Sequence, residues 1–268
     1  MNYFFTGIGV SLIALLFASG CTQEQKEPKA IFRSKADERV PASAQANKVY
    51  PVYPWNDSDS PLKAITKEFL RCKGSSLNPP YIIYENGKEK DRIWDCGGFE
   101  RHGLPVRNGQ EYIYPVLLEL LNFVQSSLQK RVIVTSGHRC PSHEQYIDEK
   151  HKTASTKHLI GGAVSFFIEG YETQMDKVVQ EIIRYYALNP LFSGKKEYVE
   201  FSRNPTSDTQ TAAWANKEVL VKVYLPNEGR NLDNRHPFPY LDIQVRFDRE
   251  LNKPVACLWQ DAQTYLRK

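Results

Sequence analysis

The chain has 268 residues, with 35 Lys and Arg against 31 Asp and Glu and a formal net charge of +4. Charges of both signs are interspersed without a run of five of one sign, which excludes a nucleic-acid-binding stripe and a polybasic membrane patch. Most aromatic residues follow residue 50, so we expect one globular domain in that part of the chain.

An apolar run from Ile8 to Phe17 lies near the N-terminus and is followed by Ala18-Ser19-Gly20-Cys21. The run is shorter than the ~20 residues that span a bilayer. Small residues before a cysteine resemble a bacterial lipoprotein signal, which implies a signal peptide over residues 1–20 and lipidation of Cys21. A plain secretory signal or an uncleaved anchor is the alternative. Thr22, in place of an aspartate, favours the outer membrane, with the protein facing the periplasm.

Residues 21–60 are rich in Gln, Glu, Lys, Ala, Pro and Ser and have no sustained apolar period. Such a composition buries too little surface to fold, so we expect a disordered tether. It would join the lipid anchor to a folded domain over residues 61–268.

Within this domain, apolar spacing predicts three helices and four strands. In chain order they are a short helix at Leu62–Leu70, a core helix at Ile113–Leu128, strands at Val132–Val134 and Ala163–Ile168, an amphipathic helix at Met175–Tyr186, and strands at Val219–Leu225 and Leu241–Phe247. A loop-rich stretch through Asp95-Cys96-Gly97-Gly98 precedes the core helix. Consecutive late strands after early helices indicate an α+β domain with a small antiparallel sheet and packed helices.

Four cysteines remain after Cys21, namely Cys72, Cys96, Cys140 and Cys257. An even number in an exported chain favours disulfides. The sequence alone leaves the pairing open. We expect Cys72 with Cys96, because they bracket a local turn-rich segment, and Cys140 with Cys257. A metal site at these cysteines is disfavoured because no CxxC spacing occurs.

Two motifs follow one another between the predicted strands. Ser136-Gly137-His138-Arg139 comes first, and Thr156-Lys157-His158-Leu159-Ile160-Gly161-Gly162-Ala163-Val164-Ser165 follows. Their order and separation resemble the paired motifs Ser-Gly-Tyr-Arg and Ser-x-His-x-x-Gly-x-Ala-x-Asp of the zinc D-Ala-D-Ala carboxypeptidases. The resemblance implies a hedgehog/DD-peptidase-like fold, and the chain departs from it at Ser165, where the family keeps a metal-binding aspartate.

A catalytic zinc needs three protein ligands and one open position for water. The resemblance implies His158 as one ligand, and we expect His236 and Asp242 to complete the set. Asp233, three residues before His236, is the expected general base. The alternative interpretations are a turn histidine before Pro237 and a solvated strand residue at position 242.

Arg139 matches the family's arginine, which implies a role at the substrate and the developing oxyanion; the alternative is a structural arginine paired with an acid. Ser136 and Thr156 are the other expected substrate-binding residues. We expect His138 to be packed in a turn and His143 to face solvent. We expect His151, in the same intervening loop, to face solvent as well, and His102 to cap a turn, with the adjoining Glu100 and Arg101 as candidates to line the cleft.

The resulting hypothesis is a lipid-anchored, zinc-dependent peptidase that hydrolyses a peptide bond in peptidoglycan stem peptides. The alternative is an inactive module that binds stem peptides or another partner and has lost its zinc, as Ser165 suggests. A third hypothesis, a structural or host-facing surface lipoprotein, leaves the two motifs unexplained.

Overall fold

The computed structural model describes residues 62–98, 103–148, 155–229, 233 and 236–262. The expected signal peptide, lipidation site and tether lie outside these residues. The strands are β1 Tyr81–Glu85, β2 Lys88–Ile93, β3 Val106–Arg107, β4 Gln110–Glu111, β5 Val132–Ser136, β6 Ala163–Ile168, β7 Ser202–Asn204, β8 Ala213–Ala215, β9 Val219–Tyr224, β10 Tyr240–Val245, β11 Phe247–Asp248 and β12 Lys253–Pro254. The α-helices are α1 Pro115–Leu128, α2 Pro141–Ile147, α3 Met175–Leu188, α4 Lys196–Val199 and α5 Trp259–Ala262. Short 3₁₀ helices occur at Lys67–Leu70, Lys157–Ile160 and Pro190–Phe192.

A six-stranded antiparallel sheet forms the centre of the fold, in the order β5-β6-β10-β9-β8-β7. Helix α1 contacts β5, β6 and β10 on one face of the sheet, and helix α3 packs against α1. This confirms the expected α+β class with an antiparallel sheet and packed helices.

The apolar periodicity explains the two long helices. Val116, Leu120 and Val124 repeat every four residues on the buried side of α1, and Val178 and Ile182 do so on α3. In the strands, side chains alternate between faces, so Leu241, Ile243 and Val245 of β10 point into the core. The polar residues between them therefore share the opposite face of the sheet.

The N-terminal part of the domain departs from the sequence prediction in two places. The expected helix at Leu62–Leu70 is reduced to the 3₁₀ helix Lys67–Leu70. The expected loop-rich stretch contains the hairpin β1–β2, whose turn residues Asn86 and Gly87 both have positive φ, at 52° and 74°. This is the backbone of the two-residue turns that Asn-Gly favours. Among the described helices, none combines the length and the apolar character needed to cross a membrane.

Candidate functional site

His158 lies on the 3₁₀ helix Lys157–Ile160, on the polar side of the central sheet. The hydroxyl of Thr156 caps this helix by accepting from the backbone N–H of His158, and Gly161 ends it with a φ of 68°. The ring Nδ1 of His158 lies 2.6 Å from the carbonyl oxygen of Gly137. Because a carbonyl only accepts, Nδ1 carries a proton, and Nε2 is the nitrogen that faces the site.

A row of polar residues crosses four strands beside His158. Cross-strand pairing places Ser136 of β5 opposite Ser165 of β6, Ser165 opposite Asp242 of β10, and Asp242 opposite Lys222 of β9. The resemblance requires a carboxylate at position 165. The row instead supplies the carboxylate of Asp242, which lies on the neighbouring strand.

The carboxylate of Asp242 is surrounded by hydrogen-bond donors. Ser165 Oγ donates to Oδ1 at 2.9 Å, Gln244 Nε2 donates to Oδ2 at 2.8 Å, and His158 Nε2 lies 3.1 Å from Oδ1. Burial alone would raise the pKa of Asp242, but the hydrogen bond from His158 and the charges of His158 and Lys222 outweigh it and hold this pKa well below its usual range. Asp242 is 3% exposed, so this is a buried and internally neutralised anion rather than a solvated strand residue.

These residues do not fit the catalytic zinc that the resemblance implies. His158 and Asp242 are of ligand type, but the third position carries the hydroxyl of Ser165, which donates a hydrogen bond to the carboxylate. In the described part of the chain, no group of three His, Cys, Asp or Glu side chains within 4.8 Å includes His158 or Asp242. Ser165 bonds the carboxylate and not the imidazole, so a Ser-His-Asp relay is not formed either.

The structure brings His158 and Asp242 together but keeps His236 and Asp233 apart from them. The His236 ring stacks on Phe238, with centroids 4.9 Å apart and planes 3° from parallel. Burial lowers the pKa of His236, which favours the neutral ring. Asp233 Oδ2 lies 2.9 Å from Nε2 of His143 and thus belongs to a different cluster.

The other expected site residues lie along the same face. Arg139 is buried and pairs with Glu144 through Nη1 and Oε2 at 2.9 Å, which is the structural pairing considered as its alternative role. Thr156 lines the cleft, whereas Ser136 is buried at the edge of the row. His138 is packed in its turn, with Nδ1 3.0 Å from the carbonyl oxygen of His158.

The expectation that His143 faces solvent is wrong. The residue is 1% exposed, and its ring lies between Asp95, 2.7 Å from Nδ1, and Asp233. Burial lowers the pKa of His143, but the hydrogen bonds to Asp233 and Asp95 outweigh it and raise this pKa to about 9. The proline in Cys140-Pro141-Ser142-His143 was the available sequence signal, because proline is common at the start of a helix. Helix α2 begins at Pro141 and turns His143 inward. Glu100, Arg101, His102 and His151 lie outside the described residues.

The cysteines are arranged differently from the expected disulfides. Cys72, Cys96 and Cys140 form one buried cluster, and Cys257 packs against the main core instead. Both expected disulfides, Cys72–Cys96 and Cys140–Cys257, are absent from the described part of the chain, in which all four residues are thiols.

A cleft of about 880 Å³ opens over the polar row. It is lined by charges of both signs, including Lys157, Lys222 and Asp208, and by the stacked rings of Tyr224 and Tyr240, whose centroids are 4.7 Å apart. Lys222 Nζ pairs with Asp208 Oδ2 at 2.7 Å. Burial, together with neighbouring cations, lowers the pKa of Lys157 to about 8.

Sequence reasoning missed Lys157, Lys222 and Gln244. Lys222 and Gln244 occupy polar positions in otherwise apolar strands, and this alternation was the signal available for them. Comparison of the chain with protein-family models, with curated proteins and with solved structures gave no match.

Proposed function

We propose that the protein is a non-catalytic peptide-binding module of the bacterial cell envelope, and that its cleft takes peptidoglycan stem peptides. The two motifs support the envelope setting, because they resemble those of zinc D-Ala-D-Ala carboxypeptidases. The environment of Asp242 carries the proposal. Its carboxylate is satisfied by the hydroxyl of Ser165 and the amide of Gln244, and its charge is balanced by His158 and Lys222. A dication at this position would have to displace these partners.

The chemistry of the cleft suits a peptide with carboxylate and amino groups. The ammonium of Lys157 donates a hydrogen bond to the carbonyl oxygen of Val245. Its two remaining N–H groups can donate to a ligand carboxylate. Asp208 and Glu144 line the same cleft and provide acceptors for amino groups. The stacked tyrosines supply an apolar wall. A stem peptide presents groups of all three kinds.

Binding is tested by calorimetric titration of the full chain with purified disaccharide pentapeptide, with added zinc throughout. We expect saturable binding and, by mass spectrometry, intact ligand after prolonged incubation. Lys157→Met should weaken binding about tenfold, because a hydrogen bond between charged groups is lost. Lys177→Met, on the exposed side of α3, is the matched control and should leave binding unchanged. Affinity should fall as pH rises through about 8, where Lys157 loses its charge.

A zinc peptidase is the second candidate, and one observation favours it. The bond from His158 Nδ1 to the carbonyl oxygen of Gly137 is the kind of contact that orients a metal-bound histidine and directs its other nitrogen to the ion. Zinc-dependent cleavage of the pentapeptide that is lost in Asp242→Asn would establish this candidate and refute the non-catalytic one. Equal affinity of Lys157→Met and the unmodified chain would refute the assigned binding mode.

A further inference from the structure

Three cysteines that are distant in the sequence meet in one pocket outside the cleft. Cys72 follows the 3₁₀ helix Lys67–Leu70, Cys96 follows β2, and Cys140 precedes α2. Their exposed fractions are 2%, 9% and 3%, and their sulfur atoms all lie within 4.8 Å of one another. The cluster thus joins the N-terminal segment, the hairpin and the loop that carries Arg139.

The separation of the Cys72 and Cys96 sulfurs matches that of two ligands around one zinc ion. A Zn–S bond is about 2.3 Å long, so two thiolates at a tetrahedral angle lie about 3.8 Å apart. The Sγ atoms of Cys72 and Cys96 are 3.7 Å apart. Little movement is therefore needed for these two to share an ion.

Two of the sulfurs also receive hydrogen bonds from the backbone. The N–H of Gly98 donates to Cys96 Sγ at 3.3 Å, and the N–H of His143 donates to Cys140 Sγ at 3.4 Å. Hydrogen bonds to the ionised form of a group favour that form. Hydrogen bonding within the cluster and burial outweigh these donors and raise the pKa of Cys96 to about 12 and that of Cys140 to about 11, so the thiolates that bind metal form only as the ion binds.

His143 lies beside Cys96 at the edge of the cluster, and its ring would have to move toward Cys72 and Cys140 to act as a fourth ligand. Its ring, Cys96 Sγ and a carboxylate oxygen of Asp95 form a second group within 4.8 Å, so Cys96 belongs to both groups. Nε2 of His143 is bonded to Asp233, and a metal-bound histidine ordinarily makes such a bond through its other nitrogen. Nδ1 is then the ligand atom. A Cβ at Gly74 would lie 2.1 Å from Cys96 Sγ and 3.1 Å from this Nδ1, so the glycine keeps the space between them open.

We propose that Cys72, Cys96, Cys140 and His143 bind one structural zinc ion. Three thiolates and one imidazole in a tetrahedral arrangement are a ligand set that zinc prefers. On binding, the three thiols and the protonated Nδ1 of His143 release their protons to solvent, the hydrogen bond from Nδ1 to Asp95 is broken, and the ion bonds to the three sulfurs and to Nδ1. The closed set leaves no position for substrate, so the ion cross-links the segments and takes no part in chemistry. This site is separate from His158 and Asp242.

The test measures zinc in the full chain, purified without a metal-affinity tag, by elemental analysis. We expect about one zinc per chain, retained in His158→Ala and in the control Cys257→Ser, and lost in Cys72→Ser and Cys140→Ser. His143→Gln should weaken zinc binding by at least tenfold. Retention of zinc in Cys72→Ser together with its loss in His158→Ala would overturn the proposal.

A second measurement does not depend on the folding of the variants. Cobalt added to the zinc-depleted, unmodified chain should give the intense thiolate-to-cobalt absorption and the visible bands of tetrahedral coordination. Spectra of octahedral cobalt without the thiolate band would overturn the proposal. A Cys72–Cys96 disulfide in zinc-free protein taken directly from the cell envelope would do so as well. Unchanged zinc affinity in His143→Gln would overturn the assignment of the fourth ligand.

Discussion

Replacement of Ser165 by aspartate places a second carboxyl group next to a buried one. The hydroxyl of Ser165 lies 2.9 Å from Asp242 Oδ1, so the substitution exchanges a donor for an acceptor at hydrogen-bond distance. Two unit charges 4 Å apart repel by about 4 kcal/mol at an effective dielectric constant of 20. Keeping the new group protonated at pH 7, against an ordinary pKa of about 3.9, also costs about 4 kcal/mol. The domain is therefore expected to lose up to about 4 kcal/mol, or roughly 8–16 °C in Tm for a domain of this size.

The loss has a defined dependence on pH. The new carboxyl group has a pKa raised above its unfolded value, so its contribution to stability is complete below about pH 4 and is lost as pH rises. Between pH 5 and pH 7 the gap between Ser165→Asp and the neutral control Ser165→Asn should widen by about 3 kcal/mol. Urea unfolding at both pH values, with a chelator in every sample, measures this gap.

Zinc should restore the stability that Ser165→Asp loses, because the new carboxyl group, Asp242 and His158 would form a set of three ligands. Ser165→Asn lacks the carboxyl group and should not respond. Added zinc is therefore expected to raise the Tm of Ser165→Asp more than that of Ser165→Asn. Equal stability of the two variants at pH 7 in chelator would refute the account of Asp242 as a buried anion held by Ser165.

Two further predictions concern Glu218 and Gly74. Burial raises the pKa of Glu218 to about 7. The contribution of Glu218 to stability is therefore full below about pH 4.5 and declines toward pH 7. In urea unfolding, the unmodified chain should lose about 3 kcal/mol of unfolding free energy across this range relative to Glu218→Gln. Gly74→Ala should lower the free energy of unfolding by about 1–3 kcal/mol and reduce zinc content, because the added Cβ would overlap Cys96 Sγ. Gly162→Ala serves as the control, since its Cβ would meet nothing closer than 3.4 Å.

A different result would contradict each of these two predictions. Parallel pH profiles for the unmodified chain and Glu218→Gln would show that Glu218 has the same pKa in the folded and the unfolded chain. Equal zinc content and equal Tm in Gly74→Ala and Gly162→Ala would show that the cysteine cluster tolerates a methyl group at residue 74.

The elements that position the cleft were predictable because their apolar residues repeat locally. Strand β6 has the predicted bounds, and α1 and α3 differ from their predictions by only a few residues. The register between the strands could not be predicted from local apolar repeats, because the pairing of Asp242 with Ser165 joins residues that are 77 positions apart. The same limit explains why His236 was expected at the site. Its spacing from Asp233 suited a metal motif, but the aromatic rings of Phe238 and Tyr240 hold it elsewhere.

The cysteine cluster illustrates a second limit. A search for CxxC finds ligands that one turn brings together, whereas Cys72, Cys96 and Cys140 converge from three segments through tertiary packing. Their proximity has a practical consequence for metal analysis. One zinc per chain cannot be assigned to His158 and Asp242 from stoichiometry, because the cysteine cluster offers the softer and more complete ligand set.

The location of zinc is the most direct test of the central claim that the cleft lacks a catalytic metal. Crystals of the full chain grown with zinc and measured on both sides of the zinc absorption edge would locate each bound ion. The account predicts an anomalous peak among Cys72, Cys96, Cys140 and His143 and none between His158 and Asp242. A peak coordinated by His158 and Asp242 would contradict it.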